Sequence, residues 1–257
     1  MVMQGLSRAV APLVDFVYPP RCPLCGDGIA TGPGLCADCW AGLELPGEPA
    51  CSRCQIPLPA AEEGSVCRTC RAHPPRHAGI AAAALYNEGA RQLVLRYKHG
   101  KRIGLATLMA QLIAGRLADA PADALLVPVP LHPTRLWSRG FNQAALLARA
   151  ISRRSGHPVL VDGLKRTRAT PKLGGLGRAE RARTMRGAIA ARRGAIAALE
   201  GRDIILVDDV LTSGATATAC IDALLDAGAR SVRIACFARV PAPENETPGI
   251  ETIPGAA

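Results

Sequence analysis

The sequence predicts an α/β protein: a parallel sheet with flanking helices, preceded by a small module that cysteines hold together. Three observations carry this. Between Ile80 and Phe237, short apolar runs alternate with segments of helical periodicity, the order that builds a parallel sheet with crossover helices. Eight of the ten cysteines fall in Cys-x-x-Cys pairs before residue 71. Aromatic residues are 3% of a chain that is 49% hydrophobic, so the core is built from Ala, Val, Leu and Ile.

A chain of 257 residues is longer than one typical domain, and its texture changes near His77. The division expected is an N-terminal helix over 1–18, a cysteine module over 19–77, an α/β domain over 78–240, and a disordered tail over 241–257, dense in Pro, Gly and Glu. The apolar stretch in the first segment is broken by Pro12 and Asp15 and has no small-residue cleavage site, so it does not read as a signal peptide. No apolar run approaches the roughly 20 residues that cross a bilayer. The expectation is a cytoplasmic protein without membrane insertion, in a compartment where paired thiols favour metal over disulfide.

In the cysteine module the pairs are Cys22/Cys25, Cys36/Cys39, Cys51/Cys54 and Cys67/Cys70. A Cys-x-x-Cys turn puts two thiolates on one side of a knuckle, and two knuckles complete the tetrahedral shell that structural Zn²⁺ prefers. Four pairs supply two such shells. The intervals between pairs suit short hairpins, so consecutive pairing makes a double zinc ribbon; an interleaved cross-brace would fill the same shells. With both shells complete, His73 and His77 are bystanders. Cys220 and Cys236 lie in an apolar helix and strand, where a lone thiol packs as core.

Ile80 to Tyr86 is a short apolar run. Ala90 to Tyr97 and Leu105 to Leu117 have helical spacing, and Leu125 to Pro130 reads as a buried strand. Phe141 to Ser152 is helical and Pro158 to Val161 a short strand. Asp203 to Val207 is another strand, followed by a helix over Ala215 to Ala227 that Gly228 ends, and Ser231 to Phe237 closes the series as a strand.

The segment Ile204 to Thr216 holds the densest chemistry. An apolar strand delivers Asp208 and Asp209 to its carboxyl end, and a loop of hydroxyls and glycine then opens a helix. Backbone N–H groups at that helix start, with the hydroxyls of Thr212, Ser213 and Thr216, make an anion site, and Gly214 allows close backbone approach. The carboxylates suit sugar hydroxyls that donate to them, so a ribose 5-phosphate satisfies both halves. The segment resembles the 5-phosphoribosyl-1-pyrophosphate (PRPP) signature of type I phosphoribosyltransferases. That resemblance implies a type I phosphoribosyltransferase-like sheet, with Asp208 and Asp209 on the ribose hydroxyls and Thr212, Ser213, Gly214, Ala215 and Thr216 around the 5′-phosphate.

Tyr97-Lys98-His99-Gly100 and Arg139-Gly140-Phe141-Asn142-Gln143 look like the ComF family of competence and DNA-utilisation proteins, as does the order of parts. The resemblance implies that Lys98, Arg135 and Arg139 steady the pyrophosphate of PRPP, whose charge Mg²⁺ partly offsets. The stretch from Lys165 through Arg181 resembles the family's flexible hood, departing from its pattern at Lys172, Thr184 and Ile189.

The formal charge of +10 is concentrated between Lys165 and Arg193, which hold ten Lys/Arg and the single acid Glu180. Such a segment recruits phosphate-bearing partners, small or polymeric. Two functions are therefore expected. One is PRPP–Mg binding with transfer of ribosyl 5-phosphate to a nitrogenous acceptor, in DNA uptake or nucleotide salvage, with Asp208 and Asp209 as the catalytic pair that stabilises a cationic sugar. The other is a non-catalytic factor that handles nucleic acid, whose pocket only senses PRPP or a nucleotide while the zinc ribbons and basic segment meet single-stranded DNA or a DNA-processing protein.

Overall fold

The computed structural model describes residues 20–29, 34–58, 66–99, 104–171 and 177–241. The helix expected over 1–18 and, apart from Pro241, the expected tail lie outside them, as does Lys172.

Two short helices, α1 (Ala37–Ala41) and α2 (Arg68–Ala72), belong to the cysteine module. The larger unit runs β1 (Ile80–Leu85), α3 (Glu88–His99), α4 (Leu105–Gly115), β2 (Leu125–Pro128), α5 (Pro133–Arg139), α6 (Gln143–Ser155), β3 (Leu164–Arg166), α7 (Arg178–Met185), β4 (Ile189–Ala191), α8 (Ile196–Leu199), β5 (Asp203–Leu211), α9 (Ala215–Asp226) and β6 (Ser231–Arg239). A four-stranded sheet in the order β1-β6-β5-β2 is parallel throughout, and β3 pairs antiparallel with β4 beside it.

The strands are apolar on both faces because both faces are covered. Helices α3, α4 and α6 press Leu93, Tyr97, Ile113, Leu147 and Ile151 against one face, with Ile205, Val207 and Phe237. On the other, α9 sets Cys220, Ile221 and Leu224 against Leu206, Ile234 and Cys236. Burying one such aliphatic side chain contributes roughly 1.5–3 kcal/mol, so many small contributions replace the aromatic residues the chain lacks.

The cysteine module clasps the β1 edge from both sides. Cys22, Leu24 and Leu43 join the core that contains Ala81 and Ala83, while Cys51, Cys54 and Cys70 join the one containing Ile80 and Ala82. The edge is covered as well: Leu85 N–H donates to the Glu44 carbonyl at 2.8 Å, and Ala82 N–H to the Gln55 Oε1 at 3.2 Å. An edge strand so capped offers few free donors to another chain.

Three elements differ from the sequence reading. Pro158 to Val161 makes only one parallel bridge, Val159 with Leu126, because the chain turns away at Asp162 after two backbone bonds to Leu126. The strand expected over Asp203–Val207 continues to Leu211, since β6 runs alongside it as far as Arg239. The stretch before Gly140 is a helix: His132 Nδ1 accepts from Thr134 N–H, Pro133 opens the first turn, and Gly140 ends it at φ +82°, a left-handed position that glycine takes without strain.

Candidate functional site

Ligands of parallel α/β sheets gather at the carboxyl ends of the strands, and here that edge holds Asp208 and Asp209. The two carboxylates have different surroundings. Asp209 is 5% exposed. Lys98 Nζ lies 3.0 Å from its Oδ1, and Gln143 Nε2 donates a long hydrogen bond of 3.4 Å to its Oδ2. Asp208 is half-buried, and one of its oxygens, Oδ1, accepts from Asp209 N–H at 2.9 Å. Burial, and then the neighbouring Asp209 charge, push the Asp208 carboxyl up to about 7, against the pull of Lys98 and Arg166. One strand end thus carries a carboxylate paired with an ammonium beside a carboxyl that burial and its neighbour push up.

From β5 the chain passes through Thr212 and Ser213 to Gly214, whose φ of +77° admits glycine readily, and α9 begins at Ala215. Gly214 caps α9 without a side chain, which leaves first-turn N–H groups without a side-chain cap close in sequence to the Thr212, Ser213 and Thr216 hydroxyls. A helix start of this kind can take an anion.

Helix α6 is positioned by Asn142. Its Oδ1 accepts from Ala144 and Ala145 N–H at 3.0 and 3.4 Å, and its Nδ2 donates to the Val129 carbonyl at 3.1 Å, pinning the helix start to the end of β2. Tyr97 hydroxyl donates to the Gln143 carbonyl at 2.7 Å. Gln143 is 5% exposed and its Oε1 has no hydrogen-bond partner among the described residues, which leaves a buried acceptor beside Asp209.

Of the residues expected at the pyrophosphate, Lys98 is engaged with Asp209. Arg135 donates to the Thr170 and Pro171 carbonyls, both at 3.3 Å, tying α5 to the basic segment. Arg139 is the last residue of α5 and half-buried. Arg166 was not singled out by the sequence. Its Nε donates to the Pro130 carbonyl at 3.1 Å and another guanidinium nitrogen to Thr170 Oγ1 at 2.6 Å. Burial lowers its pKa, as does Arg135, and Cys220 and Asp208 oppose this. The signal for it was only the hood's basic run. Cys220 and Cys236 are fully buried beside Asp208, and burial pushes both thiols up, Cys236 to about 12, so they pack as neutral core.

The eight module cysteines form two clusters, Cys22/Cys25/Cys36/Cys39 and Cys51/Cys54/Cys67/Cys70, each with all sulfurs within 4.8 Å of one another. Consecutive pairing is therefore the arrangement adopted. Cys25 and Cys36 Sγ lie 3.5 Å apart and Cys54 and Cys67 Sγ 3.7 Å, close to the edge of a tetrahedron with Zn–S bonds of about 2.3 Å. Burial would raise the Cys22 and Cys51 thiols, yet backbone N–H donors from Cys25 and Cys36, and from Cys67 and Cys54, bring them down to about 6 and 7. Cys70 is pushed up by burial and by Cys54 and Cys67. Four crowded thiolates need a cation to coexist, and both donor sets are those of closed structural zinc sites. His77 is held near 4 by burial and by Arg239 and Arg53, in keeping with a bystander. No helix among the described residues is long and apolar enough to cross a membrane.

Two domain families match the chain. The double zinc ribbon domain matches residues 13–71, and the phosphoribosyl transferase domain matches residues 143–248. DNA utilization protein YhgH of Escherichia coli strain K12 is 30% identical over 227 residues, covering 81% of this chain and 98% of that protein. Competence protein F of Haemophilus influenzae is 28% identical over 214 residues, covering 80% and 90%. Competence protein ComFC of Streptococcus pneumoniae is 28% identical over 201 residues, covering 77% and 84%.

Proposed function

Because the chain belongs to the ComF family of competence and DNA-utilisation proteins, with a double zinc ribbon ahead of a phosphoribosyltransferase domain, we propose that it binds PRPP with Mg²⁺ at Asp208 to Thr216 in the service of DNA uptake or utilisation. The observation that carries this reading is the junction of a carboxylate pair with an anion loop at the end of one strand. A phosphate monoester suits Thr212 to Thr216, and ribose hydroxyls suit Asp208 and Asp209. The orphaned Gln143 Oε1 supports a sugar, since a buried acceptor without a donor costs about 1–3 kcal/mol and a ribose hydroxyl would satisfy it.

In this reading Lys98, Arg135 and Arg139 stand on the pyrophosphate side, where Lys98 would divide its charge between Asp209 and the ligand. The hard oxygens of Asp208 and Asp209 suit Mg²⁺, which takes one or two carboxylates beside substrate phosphates and would screen the pyrophosphate. If the ribosyl–pyrophosphate bond breaks toward a nitrogenous acceptor, Asp208 and Asp209 would stabilise the cationic sugar.

A second reading, a factor that handles nucleic acid and uses the pocket only for sensing, is favoured by the ten cations between Lys165 and Arg193. Thermal unfolding with and without PRPP–Mg²⁺ tests the pocket that both share. A ligand at 100 times its Kd adds about 2.7 kcal/mol and should raise the Tm by several degrees, an effect that Asp208→Asn/Asp209→Asn should abolish. No shift in the parent protein would reject PRPP binding; a shift without pyrophosphate release across a panel of nucleobase acceptors would favour sensing.

A further inference from the structure

The two cysteine clusters differ in what surrounds them. In the first, Cys22 is buried, Cys36 and Cys39 are half-buried and Cys25 is exposed; in the second, Cys51, Cys54 and Cys70 are buried and Cys67 is half-buried. The cations that reach the first cluster's loop are engaged elsewhere. Arg21 Nη1 donates to the Gly26 carbonyl at 3.0 Å, and Arg96 Nη1 to the Pro23 carbonyl at 2.7 Å. An acid stands there as well: Asp27 N–H donates to Cys25, but the Asp27 carboxylate, burial and the neighbouring cysteines outweigh it, and the Cys25 thiol is pushed up.

Beside the second cluster the charge has the opposite sign. Arg239 ends β6, opposite Leu85 of β1 and Leu211 of β5. Leu211 packs in the core that also holds Cys51, Cys54, Cys70 and Cys236. Partners in register share a face of the sheet, so Arg239 belongs to the side where the second cluster is seated. Gln55, next to Cys54, fixes that seat on the Ala82 N–H, and Ala82 lies opposite Cys236 on the strand that Arg239 ends. Arg239 Nε and Nη1 are buried and have no hydrogen-bond partner among the described residues, and Arg239 forms no ion pair among them. Burial pushes the Cys54 thiol up, and Arg239 opposes this most strongly. A guanidinium with two buried, unused donors is costly unless it meets an anion. Zn²⁺ held by four thiolates carries a net charge of about −2, and its sulfurs accept hydrogen bonds, so the loaded second site is the anion that Arg239 lacks.

We propose that Arg239 is the positioning residue of the second zinc site, its guanidinium balancing the charge of the Cys51, Cys54, Cys67 and Cys70 thiolates, and that the two zinc ions are therefore unequal: the second is retained and the first exchanges. This rests on the double zinc ribbon reading. The first site is open to solvent at Cys25 and faces Asp27, so a chelator reaches it without displacing a compensating cation.

The test follows zinc release to the chromogenic chelator pyridylazoresorcinol from five full-length proteins: the parent, Arg239→Gln, Arg239→Lys, Cys25→Ser and Cys54→Ser. The parent should release two ions in separate phases. Cys25→Ser should lack the fast phase and Cys54→Ser the slow one. Arg239→Gln, which keeps donors but no charge, should speed the slow phase by about tenfold or more, in keeping with the roughly 10–100-fold loss of metal affinity when a partner of the ligands is removed. Arg239→Lys, which keeps the charge, should recover much of the parent's slow rate. The fast phase should hold the parent's rate in both variants, which reports that the module is still folded. A parent-like slow phase in Arg239→Gln would overturn the proposal, as would Arg239→Lys releasing as fast as Arg239→Gln, or both phases accelerating alike. Two ions leaving the parent in a single phase would reject this inference and leave the double ribbon standing; less than one zinc in the parent would reject both.

Discussion

Lys98 Nζ and Asp209 Oδ1 lie 3.0 Å apart, joining the end of α3 to the carboxyl end of β5. Asp209 is almost fully buried and Lys98 about a quarter exposed, so the pair differs from the four other ion pairs among the described residues, each of which has one strongly exposed side chain. Removing one partner of a buried pair strands the other charge, at a cost of about 3–5 kcal/mol when burial is complete. Water that reaches Lys98 reduces this, and Lys98→Met should cost about 1–3 kcal/mol in urea unfolding. Lys98→Met/Asp209→Asn should recover most of that loss; a double variant as unstable as the single would contradict the pairing.

Asp208 makes stability depend on pH with a definite sign. Its carboxyl is raised to about 7 by burial and by Asp209, while an unfolded Asp titrates near about 3.9. The folded state therefore holds a proton that the unfolded chain releases, and the contribution is full below about 4 and lost as pH rises through about 7. Asp208→Asn keeps an acceptor for Asp209 N–H and carries no charge. Its Tm should exceed the parent's at pH 8 by a margin that shrinks steadily toward pH 4. A margin independent of pH would assign the effect to something other than this carboxyl.

The two cysteine clusters should behave as separable metal sites. Metal analysis of the parent should return about two zinc ions per chain, and Cys54→Ser about one. Cys51, Cys54 and Cys70 share a core with Ile80 and Ala82, so losing the second site should raise hydrogen exchange across Ile80–Leu85. Less than one zinc in the parent would reject the double ribbon.

Asn142 should show an unusually large capping effect, because one side chain both caps α6 and bonds the Val129 carbonyl. Asn142→Ala is expected to cost about 2 kcal/mol, the upper end of N-cap losses. Asn142→Asp, which keeps the cap but not the amide donor, should fall between the two in urea unfolding.

The parts that a sequence shows are those whose meaning is local. Asp208 to Thr216 is one continuous strand, loop and helix start, and each Cys-x-x-Cys pair is complete within four residues, so both were legible. Helix α5 was not: it is seven residues long, lacks a buried stripe, and is defined by the His132 cap and by Gly140. The Lys98–Asp209 pair and the burial of Arg166 beside Asp208 were hidden for another reason, since each joins residues far apart in the chain. Pro158–Val161 had strand composition, yet the turn at Asp162 limits its pairing to one bridge.

The β1 edge has a consequence for the order in which the protein is made. β1 pairs with β6, whose residues follow it by about 150 positions, so Ile80–Leu85 leaves the ribosome long before its partner exists. The two cysteine clusters that grip it emerge earlier and can be loaded by then. A cell short of zinc would therefore expose a fully apolar, unpaired strand throughout the rest of synthesis, the kind of species that aggregates. In such a cell the first deficit is the yield of folded protein, ahead of any change in what a finished molecule binds.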